Sequence, residues 1–227
     1  MQIGERMKSY ETDHRLNKGA VIIRVDGKNF HTWTKQIGAS KPFDYGVMDA
    51  MLVATARTSN HMQGFKLAYT QSDESTFLLM NTGEKEQGWF DYKVQKLASI
   101  TASYFTYYFN QYNFNADMPP AIFDARAFNM PVDDVANNFV WRQQDWKRNS
   151  IQMVAQTYFS HKELQGLNND QVMEKLRSIG KQWDLVPSRS RTGVFVCDTE
   201  VGKVAYAEHW DYDKINEMVG INVYTDN

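Results

Sequence analysis

The apolar and polar positions of this chain follow two periods, one typical of strands and the other typical of helices. Residues 20–25 form a mostly apolar run, as in a buried strand. Farther along, apolar residues recur every three or four positions, as on the buried side of a helix. In chain order, the pattern predicts a strand over 20–25, a helix from about Tyr45 to Asn60 capped by Asp44, strands over Phe65–Tyr69 and Ser75–Met80, a helix over Asp91–Tyr112 and a strand over Ala121–Phe128.

The order strand, helix, strand, strand, helix, strand indicates an α+β fold of the ferredoxin-like type, an antiparallel sheet with helices on one face. In this topology the first two strands are parallel, and the third strand lies antiparallel between them. The end of the first strand and the turn between the second and third strands then share one edge. We therefore expect Asp26 and Asp73 to face a common cleft.

The second half of the chain is expected to be an extension packed on this first unit. It should contain helices around 134–159 and 169–179, the latter capped by Asn168 or Asn169 and stopped at Gly180. A hairpin is predicted from Thr192–Cys197 and Val204–Ala207, followed by a short helix and coil from Asp211. We place the boundary between residues 1–132 and 133–227, within a single compact unit.

Composition is compatible with a globular enzyme. The chain has 227 residues, of which 42% are hydrophobic, and it can bury one sizeable core. No run approaches the roughly 18 apolar residues of a membrane span, and the start of the chain lacks a signal-peptide apolar region. We expect a cytoplasmic protein without a membrane partner. The single cysteine, Cys197, excludes a disulfide within the chain and is expected to be buried.

Charge argues against a broad nucleic-acid surface but leaves local phosphate sites open. The formal net charge is -2, so the whole surface cannot be strongly basic. Any single basic cluster is typical of a solvated face, yet several clusters occur and their number favours phosphate binding. The clusters are Lys93 with Lys96 on the second helix, Arg142 with Lys147 and Arg148, and Arg189 with Arg191 in an expected loop.

The two acidic turns are the candidate chemical site. Magnesium is held by few carboxylates together with substrate phosphates, so Asp26 and Asp73 at one edge are sufficient ligands. Gly27 permits close backbone approach, and the amides from Gly27 to His31 could cradle a triphosphate. Asp-Gly and Ser-Asp are also common turn dipeptides, so an ordinary structural turn stays open as an alternative. His31 alone is more often a structural histidine than a ligand.

Several short motifs occur together in a fixed order. They are Arg24-Val-Asp-Gly-Lys-Asn-Phe-His31, Lys41-Pro42 with Asp44, Gln71-Ser-Asp-Glu74, Lys93 with Lys96 and Ala102-Ser103, Phe123-Asp124 with Arg126, and Trp141-Arg-Gln with Asp145. Over most of residues 20–195 this combination resembles the tRNA(His) guanylyltransferase family and its guanylyltransferase-like relatives. Each motif is short, but the combined spacing is specific.

The resemblance implies a polymerase-like palm that adds nucleotides to the 5′ end of RNA in the 3′-to-5′ direction. It implies two Mg²⁺ ions held by Asp26, the Gly27 carbonyl and Asp73, with Asp26, Asp73 and Glu74 as catalytic residues. ATP and GTP or another nucleoside triphosphate would be substrates. Nucleotide contacts are expected from Gly27, Lys28, Asn29, Phe30, His31, Lys41, Ser72, Lys93 and Lys96. RNA contacts are expected from Arg126, Lys147, Arg148, Asn149, Arg189 and Arg191.

One departure from the family's pattern bears on the RNA substrate. Eukaryotic members carry a histidine and an Asn-Asn-Leu-Tyr-Asn continuation where this chain has Lys147–Met153, and that segment is tied to recognition of histidine tRNA. Ala125 replaces the usual glycine of Phe-Asp-Gly-Arg. The sequence resembles the bacterial and archaeal relatives, which implies template-dependent repair of the 5′ end of tRNA or tRNA-like RNA, by a homotetramer. The alternatives are G addition at position -1 of histidine tRNA, a nucleotidyl cyclase, and a non-catalytic RNA-binding module.

Overall fold

The computed structural model describes residues 2–11, 13–81, 87–112 and 118–221. Its regular elements, in chain order, are α1 (Ile3–Lys8), β1 (Ala20–Gly27), α2 (Phe30–Gln36), α3 (Tyr45–Ser59), β2 (Phe65–Gln71), β3 (Glu74–Met80), α4 (Val94–Tyr112), β4 (Phe123–Met130), α5 (Val135–Ala155), α6 (His161–Leu164), α7 (Asn169–Ser178), α8 (Ser188–Thr192), β5 (Val194–Thr199), β6 (Gly202–Tyr206) and α9 (Tyr212–Val219). Short 3-10 helices occur at Trp89–Tyr92, Val132–Asp134 and Trp183–Leu185.

The strands form one antiparallel sheet in the order β4-β1-β3-β2-β5-β6. β3 lies antiparallel between β1 and β2, and β4 pairs with the other edge of β1, so the ferredoxin-like palm is confirmed. The C-terminal hairpin continues the same sheet, because β5 pairs with β2. The sheet thus crosses the expected boundary at residue 132, and that boundary stays a prediction about folding units.

Each face of the sheet carries its own hydrophobic core. Alternate residues of β1 point to opposite faces, so Val21, Ile23 and Val25 pack with α2, α3 and α4. The other face, which includes Ile22 and Leu67, is covered by α5 and α9. The palm helices therefore lie on one face, as predicted, and the extension covers part of the opposite face.

A third cluster of buried residues lies beyond the end of the sheet at which β1 reaches its C-terminal residue. The edge that holds the two acidic turns means this end of the strands. The cluster joins the segment before α3, the second half of α5 and α7, through residues that include Phe43, Trp146, Leu176 and Trp183. Phe43 and Trp146 meet at a ring-centroid distance of 6.2 Å. We call this part the edge lobe.

Some predicted boundaries were wrong, and each has a local cause. α4 begins at Val94 rather than Asp91, since Phe90 and Asp91 adopt positive φ angles that no helix continues. Lys93 therefore precedes the helix instead of lying on it. α2 was not predicted, because it is short and the turn before it carries no clear sequence signal for the start of a helix. The residues around Arg189 form α8 rather than a loop. The caps Asp44 and Asn168 are confirmed.

Among the described helices, none combines the length and the apolar character needed to cross a membrane.

Candidate active site

The two acidic turns meet at one edge of the sheet. Asp26 lies opposite Glu74 in the ladder between β1 and β3. The next residue, Gly27, donates its backbone N–H to the carbonyl oxygen of Asp73 at 3.1 Å. The structure thus brings together Asp26, Gly27 and Asp73, as the strand order required.

The electrostatics of this edge favour a bound cation. Burial raises the pKa of Asp73, and the nearby charge of Asp26 raises it further. Asp124 lies directly opposite Asp26 in the ladder between β1 and β4. Arg126 is the nearby counter-charge, with its guanidinium 3.9 Å from the Asp26 carboxylate and 3.8 Å from that of Asp124. Among the described residues, Asp26 and Asp124 share Arg126 as their ion-pair partner, and this arginine is half-exposed.

The donor set fits magnesium. Carboxylate and carbonyl oxygens are the hard ligands that magnesium takes, and it keeps several waters when only one or two carboxylates are present. Within the described residues, no three or more His, Cys, Asp and Glu side chains are arranged as a metal cage. A site here would therefore use Asp26 and Asp73 with a backbone oxygen and the substrate's own phosphates.

The turn from Gly27 to His31 is held from both sides. Lys28 donates its backbone N–H to the carbonyl of Ile122 at 2.8 Å, which ties the turn to the start of β4. Asn29 has the left-handed conformation (φ 51°), and Phe30 is buried while His31 is exposed. A Cβ on Gly27 would lie 2.5 Å from the Phe30 ring, so the close packing of this ring requires glycine. The backbone of this turn is fixed and its polar side chains point outward.

The second turn is a two-residue hairpin anchored through Glu74. Ser72, with φ 49°, and Asp73 join β2 to β3. Glu74 accepts a hydrogen bond from Arg142 Nε at 2.7 Å, with both side chains almost fully buried. Burial raises the pKa of Glu74, against the lowering effect of the Arg142 charge. The Glu74 side chain is therefore bonded to α5, while the Asp73 side chain remains available in the cleft.

Two residues of the expected nucleotide set lie elsewhere. Val21, at the start of β1, pairs with Leu79, and both line a small cavity with Tyr92 and Leu97. Val21 and Asp26 are five residue steps apart on β1, and at about 3.3 Å per step this puts the start of α4 roughly 17 Å from Asp26. Within one chain, Lys93 and Lys96 are therefore not brought to the Asp26–Asp73 edge.

Lys93 also has a local partner at the far end of the sheet. Its ammonium lies 3.2 Å from Asp13, which in turn pairs with Arg15. Lys96 is exposed and lies 5.9 Å from the centre of the Phe90 ring. The exposed Lys41 precedes Phe43 and so belongs to the edge lobe, on the same side as the two turns.

Most of the expected RNA-binding residues lie on the edge lobe. Lys147 and Arg191 both approach the Trp183 ring, at 6.0 and 5.5 Å from its centre. Arg148 and Asn149 line an open groove of about 560 Å³ between α5 and the start of α7. Arg189 packs over the Tyr45 ring at 4.6 Å. Lys147, Arg148, Asn149, Arg189 and Arg191 are thus grouped on the edge lobe, whereas Arg126 lies on β4 beside Asp26.

Two residues at this edge had no assigned role in the sequence. Asp124 stands beside Asp26 only because of the β1–β4 register, which the sequence does not specify. Arg142 belongs to a basic cluster with Lys147 and Arg148 in the sequence, but the fold separates it from them by burying it. Its side chain is 8% exposed and bonds to Glu74 and Asp145.

Comparisons with known proteins agree with this geometry. The sequence model of the family described as Thg1, tRNA(His) guanylyltransferase, matches residues 4–131. A probable tRNA(His) guanylyltransferase of Drosophila melanogaster is 30% identical over 179 residues, which cover 76% of this chain. The matched part is 60% of the fly protein, so the chain spans less than two thirds of that relative's length.

Solved structures match over nearly the whole chain. A bacterial Thg1-like protein in complex with ATP is 38% identical, with a TM-score of 0.91, and the match covers 96% of this chain and 99% of that protein. A bacterial Thg1-like protein in complex with GTP is 36% identical, with a TM-score of 0.82 and 96% coverage of both chains. Given the family match over more than half of its length and the shared fold, the chain belongs to the tRNA(His) guanylyltransferase family, a family of nucleotidyltransferases.

Proposed function

We propose that the protein extends the 5′ end of tRNA or tRNA-like RNA in the 3′-to-5′ direction, choosing each nucleotide by pairing with the opposite strand. The observation that carries this proposal is the joining of Asp26, Gly27 and Asp73 at one sheet edge. The similarity to bacterial Thg1-like proteins in complex with ATP and with GTP supports the choice of nucleotides.

Asp26, the Gly27 carbonyl and Asp73 would hold two magnesium ions. Bound there, magnesium would stabilise the charge that develops on the phosphoryl group and lower the pKa of an attacking hydroxyl. The backbone of Gly27–His31, which Phe30 and Ile122 hold in place, would position the triphosphate. Lys28, Lys41 and Ser72 would add contacts to the phosphates from the same side.

The reaction has two steps when the RNA ends in a 5′-monophosphate. An oxygen of that phosphate attacks the α-phosphorus of ATP, and pyrophosphate leaves, which gives an adenylylated end. The 3′-hydroxyl of the incoming nucleoside triphosphate then attacks the phosphorus of the RNA end, and AMP leaves. An RNA with a 5′-triphosphate end needs no activation. The 3′-hydroxyl of the incoming nucleotide attacks it directly, and pyrophosphate is the leaving group.

Nucleotide binding by Lys93 and Lys96 stays a prediction. Within one chain it would need a phosphate at the far end of the sheet, where Lys93 is paired with Asp13. A homotetramer is likewise proposed on resemblance to the family alone.

RNA would lie across the edge lobe toward the cleft. Lys147, Arg148 and Arg191 bear the charge, and Arg126 on β4 is the cation nearest to the metal edge. Contacts to phosphates position an RNA without reading its sequence, so the opposite strand is left to supply the sequence information.

A second candidate is addition of G at position -1 of histidine tRNA. The family match favours it, since that activity gives the family its name. The segment Lys147–Met153 disfavours it, because only Asn149 survives from the family segment tied to histidine tRNA.

The experiment is incubation with labelled GTP, ATP and magnesium, with and without a tRNA that lacks a 5′ G opposite C. Extension of the RNA supports the proposal. A cyclic product formed without RNA would identify a nucleotidyl cyclase. RNA binding without any product would identify a non-catalytic module.

A further inference from the structure

We propose that Arg142 is a positioning residue for the metal-binding turn, acting through Glu74. The inference rests on the proposed two-metal site at Asp26 and Asp73. It concerns how that site is held in shape, and Arg142 itself touches neither metal nor substrate.

Glu74 is linked to both aspartates. It follows Asp73 directly in the chain, and it lies opposite Asp26 in the β1–β3 ladder. A side-chain anchor on Glu74 therefore fixes the end of the hairpin relative to β1. The turn itself has only two residues, and Asp73 is the second of them. A displacement of Glu74 would therefore also move Asp73.

The anchor is a buried arginine with two carboxylate partners. Arg142 Nε donates to Glu74 at 2.7 Å, and a terminal nitrogen of the same guanidinium lies 3.0 Å from Asp145. The Glu74 and Arg142 side chains are 12% and 8% exposed. The planar guanidinium directs its donors at fixed angles, so Asp145 sets its orientation and Glu74 must follow it.

The helix that carries Arg142 is itself fixed by the core. On one side of Arg142, Phe139 packs in the core that α5 shares with the sheet; on the other, Trp146 belongs to the edge lobe. The guanidinium is thus a polar link from a rigid helix to a short turn. Residues that orient metal ligands in this indirect way commonly change metal affinity when they are replaced.

A double variant separates positioning from general stability. Removing one partner of a buried pair leaves an unpaired charge, but replacing both Glu74 and Arg142 by apolar residues of similar size often preserves folding. The second carboxylate, Asp145, keeps its ion pair with Arg148. In Glu74→Met/Arg142→Met we expect a thermal midpoint near that of the wild type and binding of Mn²⁺ weakened by about tenfold or more. Mn²⁺ serves as the probe because it takes the same oxygen ligands as magnesium and its free ion gives an EPR signal.

Gln143 provides the matched control. It follows Arg142 on the same helix, is equally buried, and bonds through both ends of its amide to the backbone of Trp210, at 2.8 and 2.9 Å. Gln143→Met should lower the thermal midpoint while leaving Mn²⁺ affinity unchanged. Equal losses of Mn²⁺ affinity in both variants would show that only the stability of α5 matters, and would overturn the inference.

Further outcomes remain decisive. If the double variant does not fold, Arg142→Lys keeps the charge but cannot serve both carboxylates in the same plane, and it should still weaken Mn²⁺ binding. Unchanged Mn²⁺ affinity in whichever of these variants folds refutes a positioning role. If wild type binds no Mn²⁺ even with a nucleoside triphosphate present, or if Asp26→Ala binds it normally, the proposed metal site fails instead.

Discussion

Gly27 donates its backbone N–H to the backbone carbonyl of Asp73, across a distance of 3.1 Å, and this bond joins the two acidic turns directly. This bond uses no side-chain atom of Asp26 or Asp73. Side-chain substitutions at these two positions can change the chemistry of the site without moving the turns.

The first prediction concerns the two carboxylates. Asp26→Asn and Asp73→Asn keep the side-chain size but remove a charged ligand, and a bound metal is worth several kcal/mol of transition-state stabilisation. Nucleotide addition should fall by about a hundredfold or more. The thermal midpoint should stay equal or rise, since the substitution relieves repulsion between the aspartates. Asp133→Asn, at the far end of the fold, is the control. Near-normal addition by either variant in magnesium would rule out these ligands.

A second prediction follows from the packing at Gly27. A Cβ there would lie 2.5 Å from the Phe30 ring, which is itself buried against Phe109 and Phe123. Gly27→Ala must therefore displace the ring or the turn, and such overpacking costs about 1–3 kcal/mol. We expect a lower free energy of unfolding together with loss of nucleotide addition.

Gly4→Ala, where a Cβ meets open space, is the control for that substitution. Chemical denaturation measures the stability, and addition of a labelled nucleotide to the 5′ end of tRNA measures the activity. A Gly27→Ala protein with unchanged stability would show that the Phe30 ring yields easily.

Periodicity was sufficient for the four palm strands and for α3 and α4, because each of these elements has one clear pattern. The run Val21–Val25 and the spacing of Leu97, Phe105 and Phe109 in α4 each admit a single reading, and strand order then follows from topology. The meeting of Asp26 and Asp73 required only the order of the elements.

The other features of the site depended on contacts between distant parts of the chain, which the local sequence pattern does not encode. Asp124 reaches Asp26 through the register of β1 against β4. Arg142 is part of a basic cluster in the sequence, yet in the fold two carboxylates from different segments bury it. The separation of Lys93 from Asp26 arises because α4 starts at the far end of the sheet. A family motif cannot report such a distance within one chain.

A third prediction tests the boundary at residue 132. One face of the palm sheet, with Ile22, Leu67 and Leu78 fully buried, is covered by α5 and α9 from the extension. A chain of residues 1–132 would expose this face and the edge of β2 that pairs with β5. We expect it to aggregate or to unfold without a cooperative transition, whereas the full chain of 227 residues should unfold cooperatively. A folded 1–132 chain would establish the palm as an independent domain.

The fourth prediction concerns the cations around Trp183. Lys147→Ala and Arg191→Ala should each weaken tRNA binding and reduce the dependence of log affinity on log salt concentration by about one. Dependence of the rate on nucleotide concentration should stay unchanged. Lys214, on α9 and outside the edge lobe, serves as a control cation away from the expected RNA surface. An unchanged salt dependence in both variants would remove these residues from the RNA interface.

The last prediction is template dependence. The family resemblance implies that eukaryotic members recognise histidine tRNA through the segment from which Lys147–Met153 departs, and contacts from cations to phosphates carry no sequence information. Sequence information must then come from the RNA itself, through Watson–Crick pairing of the incoming nucleotide with the opposite strand. The measurement uses tRNAs that lack the first nucleotide, varied in anticodon and in the base opposite the gap. We expect restoration of the matching nucleotide in each. Addition of G to histidine tRNA alone, opposite an unpaired or mismatched position, would instead assign the eukaryotic type of activity, because recognition would then depend on the identity of the tRNA and not on its opposite strand.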